Sequence, residues 1–203
     1  MKVAVLNYGM GNLTSATMAL EHVGADVQVT HDHSLVRVAD AVVLPGVGAF
    51  PKAMEAVRRL GLDELVRERR EAGVPILGIC LGMQLLFESS TELGGSEGIG
   101  LLAGSVEPLD TAGLKTPQIG WNEVNWRDGS ALGVGKKSPM YHVHSFAARP
   151  ADPSVVAGTA SYGTEFVSAV EDGNLFGVQF HPEKSSRDGL ALLRNFVSVA
   201  VPA

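Results

Sequence analysis

The first hundred residues alternate short, continuously apolar runs with segments whose apolar positions recur at helical spacing. The apolar runs predict strands that begin at residue 2 and cover residues 26–30, 41–44 and 75–79. The periodic segments predict helices at residues 13–23, at 51–71 with a break near Gly61, and from Met83 to about residue 88. Short strands that are apolar throughout are typical of a parallel sheet covered by helices on both faces.

The second half of the chain shows a denser pattern of short strands. These strands are predicted at residues 104–108, 121–126, 140–146, 155–158, 165–170 and 175–180. The tetrapeptide at residues 171–174, Glu-Asp-Gly-Asn, predicts a hairpin turn, so this half should be mixed or antiparallel. A final amphipathic helix is expected at residues 187–199. Since no repeat or low-complexity linker divides the chain, we predict one α/β domain over residues 1–203, with a central, mostly parallel or mixed sheet flanked by helices and extra antiparallel strands in the second half.

Composition narrows the range of functions. The net charge is −6 and basic residues occur only in short runs, which argues against nucleic-acid binding. The most apolar segment, residues 73–87, contains several glycines and is too short for a membrane span, and the first residues lack the long apolar stretch of a signal peptide. A single cysteine excludes an internal disulfide. We therefore expect a cytoplasmic protein that binds neither nucleic acid nor membrane.

The single cysteine follows a predicted strand directly. Cys80 lies between Gly78 and Gly82, at the point where a helix is expected to begin. Ligands of open α/β sheets bind at the carboxyl ends of the strands, and flanking glycines permit the strained turn that exposes a nucleophile. Flanked by Ile79 and Leu81, the thiol could instead be a small core side chain, since buried thiols are common. The choice depends on whether the chain supplies a base.

A candidate base follows the last predicted strand. His181 and Glu183 are two residues apart in the segment His-Pro-Glu, so an extended backbone would place imidazole and carboxylate on one side. Together with Cys80 they supply a nucleophile, a base and an acid that orients the base. The Pro-Gly-Val-Gly segment at residues 45–48 could turn backbone N–H groups toward an oxyanion, together with the N–H of Leu81, or could be a simple turn.

These motifs resemble those of the class I glutamine amidotransferases. The family's nucleophile segment matches Gly78, Cys80, Gly82 and Gln84, and its His-Pro-Glu segment matches residues 181–183. The segments NYGMGN, PGVGAF, GICLGMQLLFE, IGWNEV, VHSF and GVQFHPEKSS extend the resemblance over essentially the whole chain, and they are most similar to the glutaminase subunits of imidazole glycerol phosphate synthases. The resemblance implies a flavodoxin-like fold.

The resemblance also implies roles for individual residues and no metal or other cofactor. The catalytic triad would be Cys80, His181 and Glu183, and the oxyanion hole would be formed by Val47, Gly48 and Leu81. L-glutamine would be held by Gln84, Glu92, His144, Ser145 and Phe146. A cyclase subunit with a (β/α)₈ barrel, which would receive the ammonia, would contact Met10, Asn12, Trp121, Asn122, Tyr141 and Lys184.

Other interpretations of the sequence are possible. Gly9 and Gly11 after the first strand, with Asp32 downstream, suggest a dinucleotide site, but Thr14 stands where its third glycine is needed. The His-x-His pairs at residues 31–33 and 142–144 lack a third ligand that would make a metal site. The chain could also serve a different class I amidotransferase, or be a catalytically silent assembly module on the same fold.

Overall fold

The computed structural model describes residues 1–199, and its first half alternates strands and helices as the apolar pattern predicts. The elements of this half are β1 (Lys2–Leu6), α1 (Leu13–His22), β2 (Asp26–Thr30), α2 (His33–Arg37), β3 (Ala41–Gly46), α3 (Phe50–Arg59), α4 (Leu62–Glu71), β4 (Ile76–Cys80) and α5 (Leu81–Leu85). The predicted break near Gly61 is confirmed, because this residue has a φ of +63° between α3 and α4.

The second half is rich in strands. Its elements are β5 (Phe87–Ser90), β6 (Ser96–Glu97), β7 (Leu102–Pro108), β8 (Gln118–Trp126), β9 (Lys137–His144), β10 (Phe146–Pro150), β11 (Val156–Tyr162), β12 (Thr164–Asp172), β13 (Leu175–Val178) and α6 (Ser186–Val199). The hairpin predicted at residues 171–174 is confirmed, since β12 and β13 pair antiparallel around Gly173.

A parallel layer in the order β2-β1-β3-β4-β13 forms one part of the sheet. This is the strand order of flavodoxin-like folds, with the last strand of the chain in the fifth position. Beyond β13 the sheet continues through β12, β10, β7, β5 and β6, and β11, β8 and β9 form a branch from β12. The predicted α/β fold with additional antiparallel strands is therefore confirmed.

Helices cover both faces of the parallel layer, and strand alternation explains how the core divides. In β1, Val3 and Val5 pack with the side of the sheet covered by α1 and α6, where Leu20 and Phe196 are buried. Ala4 and Leu6 instead pack toward α3 and α4, where Met54 and Leu65 are buried. Because successive side chains of a strand point to opposite faces, a continuously apolar strand supplies both cores.

One predicted helix is present but shorter than expected. Helical spacing predicts a helix from Met83 to about residue 88, whereas α5 ends at Leu85 and a strand begins at Phe87. The carbonyls that would continue the helix accept hydrogen bonds from a later segment: Ile99 N donates to Leu85 O and Leu101 N to Leu86 O, both at 2.8 Å. Pairing with distant residues thus overrides the local pattern.

Several boundaries also differ from the pattern. The strand predicted at residues 140–146 is two strands, because β9 ends at His144 and β10 begins at Phe146. Helix α2 and the two-residue strand β6 were not predicted, since both are too short to show a period. Within residues 1–199, no helix is long and apolar enough to cross a membrane.

Candidate active site

The ends of three neighbouring strands bring the predicted site together. Gly46 at the end of β3 is the register partner of Cys80 at the end of β4. On the other side, β13 pairs with β4 in parallel through Val178 and Ile79, so that the chain leaves β13 beside Cys80 and reaches His181 three residues later. Strand pairing thus places the cysteine, the histidine and the glycine loop at one edge, where ligands of such sheets bind.

Cys80 occupies a strained turn. Its φ is +55° and its ψ is −111°, an uncommon conformation for a residue that has a Cβ. The flanking glycines make this turn possible: a Cβ on Gly78 would lie 2.7 Å from the carbonyl oxygen of Gly82, and a Cβ on Gly82 would overlap the carbonyl oxygen of Leu44. The predicted reason for these two glycines, close packing of a strand-to-helix turn, is confirmed.

The sulfur of Cys80 lies among polar groups, although the residue is 7% exposed. Its thiol is placed to donate to the carbonyl oxygen of Val143 at 3.8 Å, and the side-chain amide of Gln179 donates to the sulfur at 3.7 Å. His181 lines the same cavity as Cys80. A small core side chain would need none of these partners, so the arrangement favours a reactive thiol.

Hydrogen bonds to its ring and to its backbone hold His181 in place. Its Nδ1 lies 2.8 Å from Oε1 of Glu183, and the two side chains are only 6% and 3% exposed. The backbone N–H of His181 donates to the carbonyl of Tyr141, and the hydroxyl of Ser185 donates to the carbonyl of His181 at 2.6 Å. These bonds fix the ring, so that its Nε2 is the nitrogen left for chemistry.

Electrostatics favour the protonated form of His181. Burial alone would lower the pKa of the imidazole, but hydrogen bonds with Cys80 and Glu183 and the negative charge of both groups raise its pKa to about 10. The imidazole therefore carries a proton at neutral pH. An imidazolium beside a cysteine favours the thiolate, which is the nucleophilic form.

We expect the Glu183→Gln substitution to lower the pKa of His181, because it removes a negative charge 2.8 Å from Nδ1. The raised pKa stabilises the fold fully below pH 6.5, and this contribution is lost as the pH rises through about 10. The wild-type chain should therefore lose more stability than the variant between pH 6 and pH 10. NMR titration of the His181 ring and urea unfolding at both pH values measure the two effects.

The control for this experiment is Glu68→Gln, which removes an exposed carboxylate paired with Arg37. It should leave the titration of His181 unchanged. A His181 midpoint in Glu183→Gln at or above the wild-type value would contradict the assigned electrostatics.

A cavity of about 300 Å³ opens at this edge of the sheet. It is lined by residues that the sequence assigned to the triad, the oxyanion hole and substrate binding, namely Val47, Gly48, Cys80, Leu81, Gln84, Glu92, His144, Ser145, Phe146 and His181. Glu183 stands behind His181 and does not line the cavity, as suits a residue that orients the base. Pro117, Val143 and Lys184 also line the cavity, the last of which was assigned to the partner surface.

The predicted substrate residues are held by contacts within the protein. Gln84 is buried and its amide donates to the carbonyl oxygen of Phe146 at 3.1 Å. Glu92 accepts from the first backbone N–H of α3, at Phe50, over 2.8 Å. Burial lowers the pKa of His144 to about 4, so its ring is neutral, and its Nδ1 bonds the same Phe146 carbonyl oxygen at 2.8 Å. This part of the cavity wall is therefore held in place by the protein itself.

The glycine loop beside Cys80 is tied to the end of β1. The hydroxyl of Tyr8 donates to the carbonyl of Pro45 at 2.5 Å, and burial raises the pKa of this phenol. A Cβ on Gly46 would meet the same hydroxyl, which explains a glycine there. After this anchor, Val47 is 42% exposed at the cavity and Gly48 has a φ of +102°. The loop is thus anchored at one end and open to solvent beyond it.

The residues predicted to contact a partner lie close to this site. Trp121 is 53% exposed and packs edge-on against Tyr141 with ring centroids 6.0 Å apart, whereas Trp126 is the buried core tryptophan. Met10 and Asn12 are partly buried, as is Asn122, which bonds the carbonyl of Ser161. The Met10 methyl lies within 2.8 Å of the place that a Cβ on Gly48 would occupy, so this surface adjoins the loop.

One histidine of each pair considered as metal ligands bonds other groups. Both ring nitrogens of His142 are bonded within the core, to Met140 O and to Ser168 Oγ, and Nε2 of His33 bonds Leu60 O. Within residues 1–199, no three His, Cys, Asp or Glu side chains come together as metal ligands.

Three contacts of the site were not predicted from the sequence. These are the amide of Gln179 on the sulfur, the hydroxyl of Tyr8 on Pro45, and the hydroxyl of Ser185 on His181. Gln179 and Ser185 lie within the GVQFHPEKSS segment, which is the only signal that could have indicated them.

Comparisons with known proteins indicate one family. The family described as glutamine amidotransferase class-I matches residues 4–200. The chain is 50% identical over 196 residues to the imidazole glycerol phosphate synthase subunit HisH of Moorella thermoacetica, covering 96% of this chain and 93% of that protein. It is 45% identical over 201 residues to the subunit of the same name from Rhodopirellula baltica, covering 98% of both chains.

A solved structure shows the same fold at lower identity. The structure of PurLQS from Thermotoga maritima contains a chain that matches with a TM-score of 0.79 at 20% identity, covering 98% of both chains. The family match spans nearly the whole sequence, and glutaminase chemistry fits a cavity that is lined by both Cys80 and His181. The chain belongs to the class I glutamine amidotransferase family.

Proposed function

We propose that this chain is the glutaminase subunit of an imidazole glycerol phosphate synthase, in which Cys80, His181 and Glu183 form the catalytic triad. One observation carries the proposal: Cys80 and His181 line the same cavity as Gln84 and Glu92. The alignment with a relative that is 50% identical covers 96% of the chain. The relatives are named as subunits of that synthase.

The first step forms a thioester. The Cys80 thiolate attacks the side-chain carbonyl carbon of L-glutamine, and the C=O electron pair moves to oxygen. Backbone N–H groups of Val47, Gly48 and Leu81 stabilise this oxyanion, each donor contributing on the order of 3 kcal/mol. As the oxyanion collapses, the C–N bond breaks, and the imidazolium of His181 gives its proton to the departing nitrogen, which leaves as ammonia.

The second step hydrolyses the thioester. His181, now neutral, accepts a proton from a water molecule while the water oxygen attacks the same carbonyl carbon. The C–S bond breaks, glutamate leaves, and the thiolate–imidazolium pair is restored. Glu183 keeps Nδ1 of His181 protonated, so that Nε2 performs both transfers.

Gln84 and Glu92 hold the amino-acid end of the substrate in this proposal. The amide nitrogen of Gln84 is already bonded to Phe146 and Gln179, which leaves its oxygen to accept from the α-ammonium group. Glu92 adds a negative charge on the cavity wall for the same group, and one of its oxygens remains after the bond to Phe50. Residues 144–146 line the cavity beside them, where their backbone would contact the substrate.

The ammonia would pass to a cyclase subunit with a (β/α)₈ barrel, which uses it to make imidazole glycerol phosphate. Free ammonia is largely protonated in neutral water, and the ammonium ion is no nucleophile, so a protected passage would deliver ammonia in its reactive form. We place the docking surface on the residues around the cavity: Met10, Asn12, Trp121, Asn122, Tyr141 and Lys184. We also propose that both subunits act in the cytoplasm.

The surface and the site share backbone bonds, which supplies a route for coupling. Tyr141 accepts from the backbone of His181 through its carbonyl, and its own N–H donates to the hydroxyl of Ser185. On the other side, Met10 packs against Gly48. A partner that shifts Tyr141 or Met10 would therefore move the base or the oxyanion loop.

We expect slow glutamine hydrolysis by the isolated chain and faster hydrolysis when the cyclase subunit and its nucleotide are added. A coupled assay for glutamate measures the hydrolysis rate of the chain alone, with the cyclase subunit, and with both the cyclase subunit and its nucleotide. The Trp121→Ala variant should require about tenfold more cyclase for the same stimulation, because exposed tryptophans are frequent binding hot spots. Met18→Ala, at an exposed residue on α1, is the control. Equal rates with and without the partner would contradict the proposed subunit role.

A further inference from the structure

Gln179 is a buried polar residue for which the triad chemistry leaves no role. It directly follows β13, is 0% exposed, and its backbone N–H donates to the carbonyl of Ser168 on β12 at 2.8 Å. This backbone bond fixes the residue between the end of the sheet and Cys80. Its side-chain amide reaches the sulfur, with Nε2 3.7 Å from Sγ.

The orientation of this amide follows from its neighbours. The carbonyl oxygen of Phe146 can only accept, so the nitrogen of the Gln84 amide must face it, at 3.1 Å. The second N–H of the same nitrogen then donates to Oε1 of Gln179 at 3.0 Å. With its oxygen committed to Gln84, Gln179 necessarily turns its N–H toward the sulfur of Cys80.

We infer that Gln179 is a further catalytic residue, whose amide N–H stabilises the Cys80 thiolate and links it to the substrate-binding Gln84. The inference rests on the proposed role of Cys80 as the nucleophile. Hydrogen bonds to an ionised acceptor are roughly twice as strong as neutral ones, and they favour the charged form. A buried N–H···S contact therefore supports the thiolate in addition to the imidazolium of His181.

The link to Gln84 gives the contact a second consequence. A substrate whose α-ammonium group donates to the Gln84 oxygen polarises that amide, so that its N–H becomes a better donor to Gln179. Polarised in turn, Gln179 donates more strongly to the sulfur. Binding of the correct amino acid thus favours the nucleophilic form of Cys80 through two amides.

The test uses the rate at which iodoacetamide alkylates the protein as a function of pH. Cys80 is the single cysteine in the chain, so the signal comes from that sulfur alone. Other titratable groups near it must be considered when the profile is interpreted. They are His181 and Glu183 after β13, Tyr8 after β1, His144 on β9, and Glu92 and Lys184 on the cavity wall.

Two variants remove the donor in different ways. Gln179→Glu retains an oxygen that accepts from Gln84 but presents an acceptor to the sulfur, whereas Gln179→Met removes the donor without adding charge. We expect alkylation at pH 7 to slow about tenfold in Gln179→Glu, and the pH at which the alkylation rate is half-maximal to be about one unit higher than in the wild type. In Gln179→Met, alkylation at pH 7 should slow at least about threefold. Both variants should lower kcat more than they change KM. The neutral variant keeps the test decisive if the charged one fails to fold.

The control is Gln118→Glu, which places a carboxylate at another buried glutamine, 1% exposed, whose amide bonds Asn122 instead of the sulfur. Its alkylation profile should match the wild type. If folded Gln179→Glu or Gln179→Met showed the wild-type alkylation profile, the inference would be overturned. This would hold even if turnover were found to depend on Cys80. Failure of the proposed function would be seen separately, as glutamine hydrolysis that survives without Cys80.

Discussion

We expect the Cys80→Ala variant to lose glutamine hydrolysis by a factor of about 10⁶, because loss of the nucleophile in a comparable triad removes nearly all chemistry. Its complex with the cyclase subunit should still make imidazole glycerol phosphate from added ammonium salt. The cause is structural: within the cavity, Cys80 is the residue at the strained turn that faces both His181 and Gln179. Parallel assays with glutamine and with ammonia separate the two activities.

The control for this variant is its own stability. Alanine at position 80 keeps the Cβ of the turn and removes only the sulfur, so the variant should fold, and a cooperative unfolding transition in urea would show that it does. Glutamine-dependent turnover within tenfold of the wild type, in a purified folded variant, would show that another group is the nucleophile.

The Gly82→Ala substitution should have the largest effect on folding. A Cβ at this position would overlap the carbonyl oxygen of Leu44, and that carbonyl lies in β3, between β1 and β4 in the sheet. Since β3 cannot move away without breaking its pairing with β4, we expect a loss of at least about 3 kcal/mol or no soluble protein. Urea unfolding monitored by tryptophan fluorescence measures the change.

A matched glycine provides the comparison. Gly129 has a φ of +79° but has open space where a Cβ would project, so Gly129→Ala should cost only about 1 kcal/mol for backbone strain. If Gly82→Ala were no more destabilising than Gly129→Ala, the close packing of α5 against β3 would not be what requires glycine beside the nucleophile.

Sequence patterns predicted the parallel half of the fold because its strands and helices are long enough to show their period. They also made Cys80 a candidate nucleophile, because the glycines on either side have a local physical meaning, but they left a core thiol as the alternative. Its proximity to His181 could not follow from any local pattern. It depends on β13 pairing with β4, across roughly a hundred intervening residues, and only a resemblance to a family could anticipate it.

Other features of the site could not be predicted from the sequence, for related reasons. Helical spacing continues past Leu85, yet the backbone N–H groups of residues 98–102 donate to the carbonyls of residues 85–88, and a strand begins there instead. Gln179 and Tyr8 each make their important contact with a residue distant in sequence, Cys80 and Pro45 respectively. A buried glutamine or tyrosine shows no periodic signal of such a bond. Side-chain partners of this kind become visible only in three dimensions.

The proposed chemistry is tested most directly by covalent labelling with a glutamine-like electrophile such as acivicin, followed by peptide mapping. The chain in complex with its cyclase subunit and nucleotide should gain one adduct, located on Cys80, and excess L-glutamine should slow the labelling. The Cys80→Ala complex should gain none. If the wild-type complex stays unlabelled at Cys80, or if glutamine gives no protection, then Cys80 is not the nucleophile of a glutaminase site.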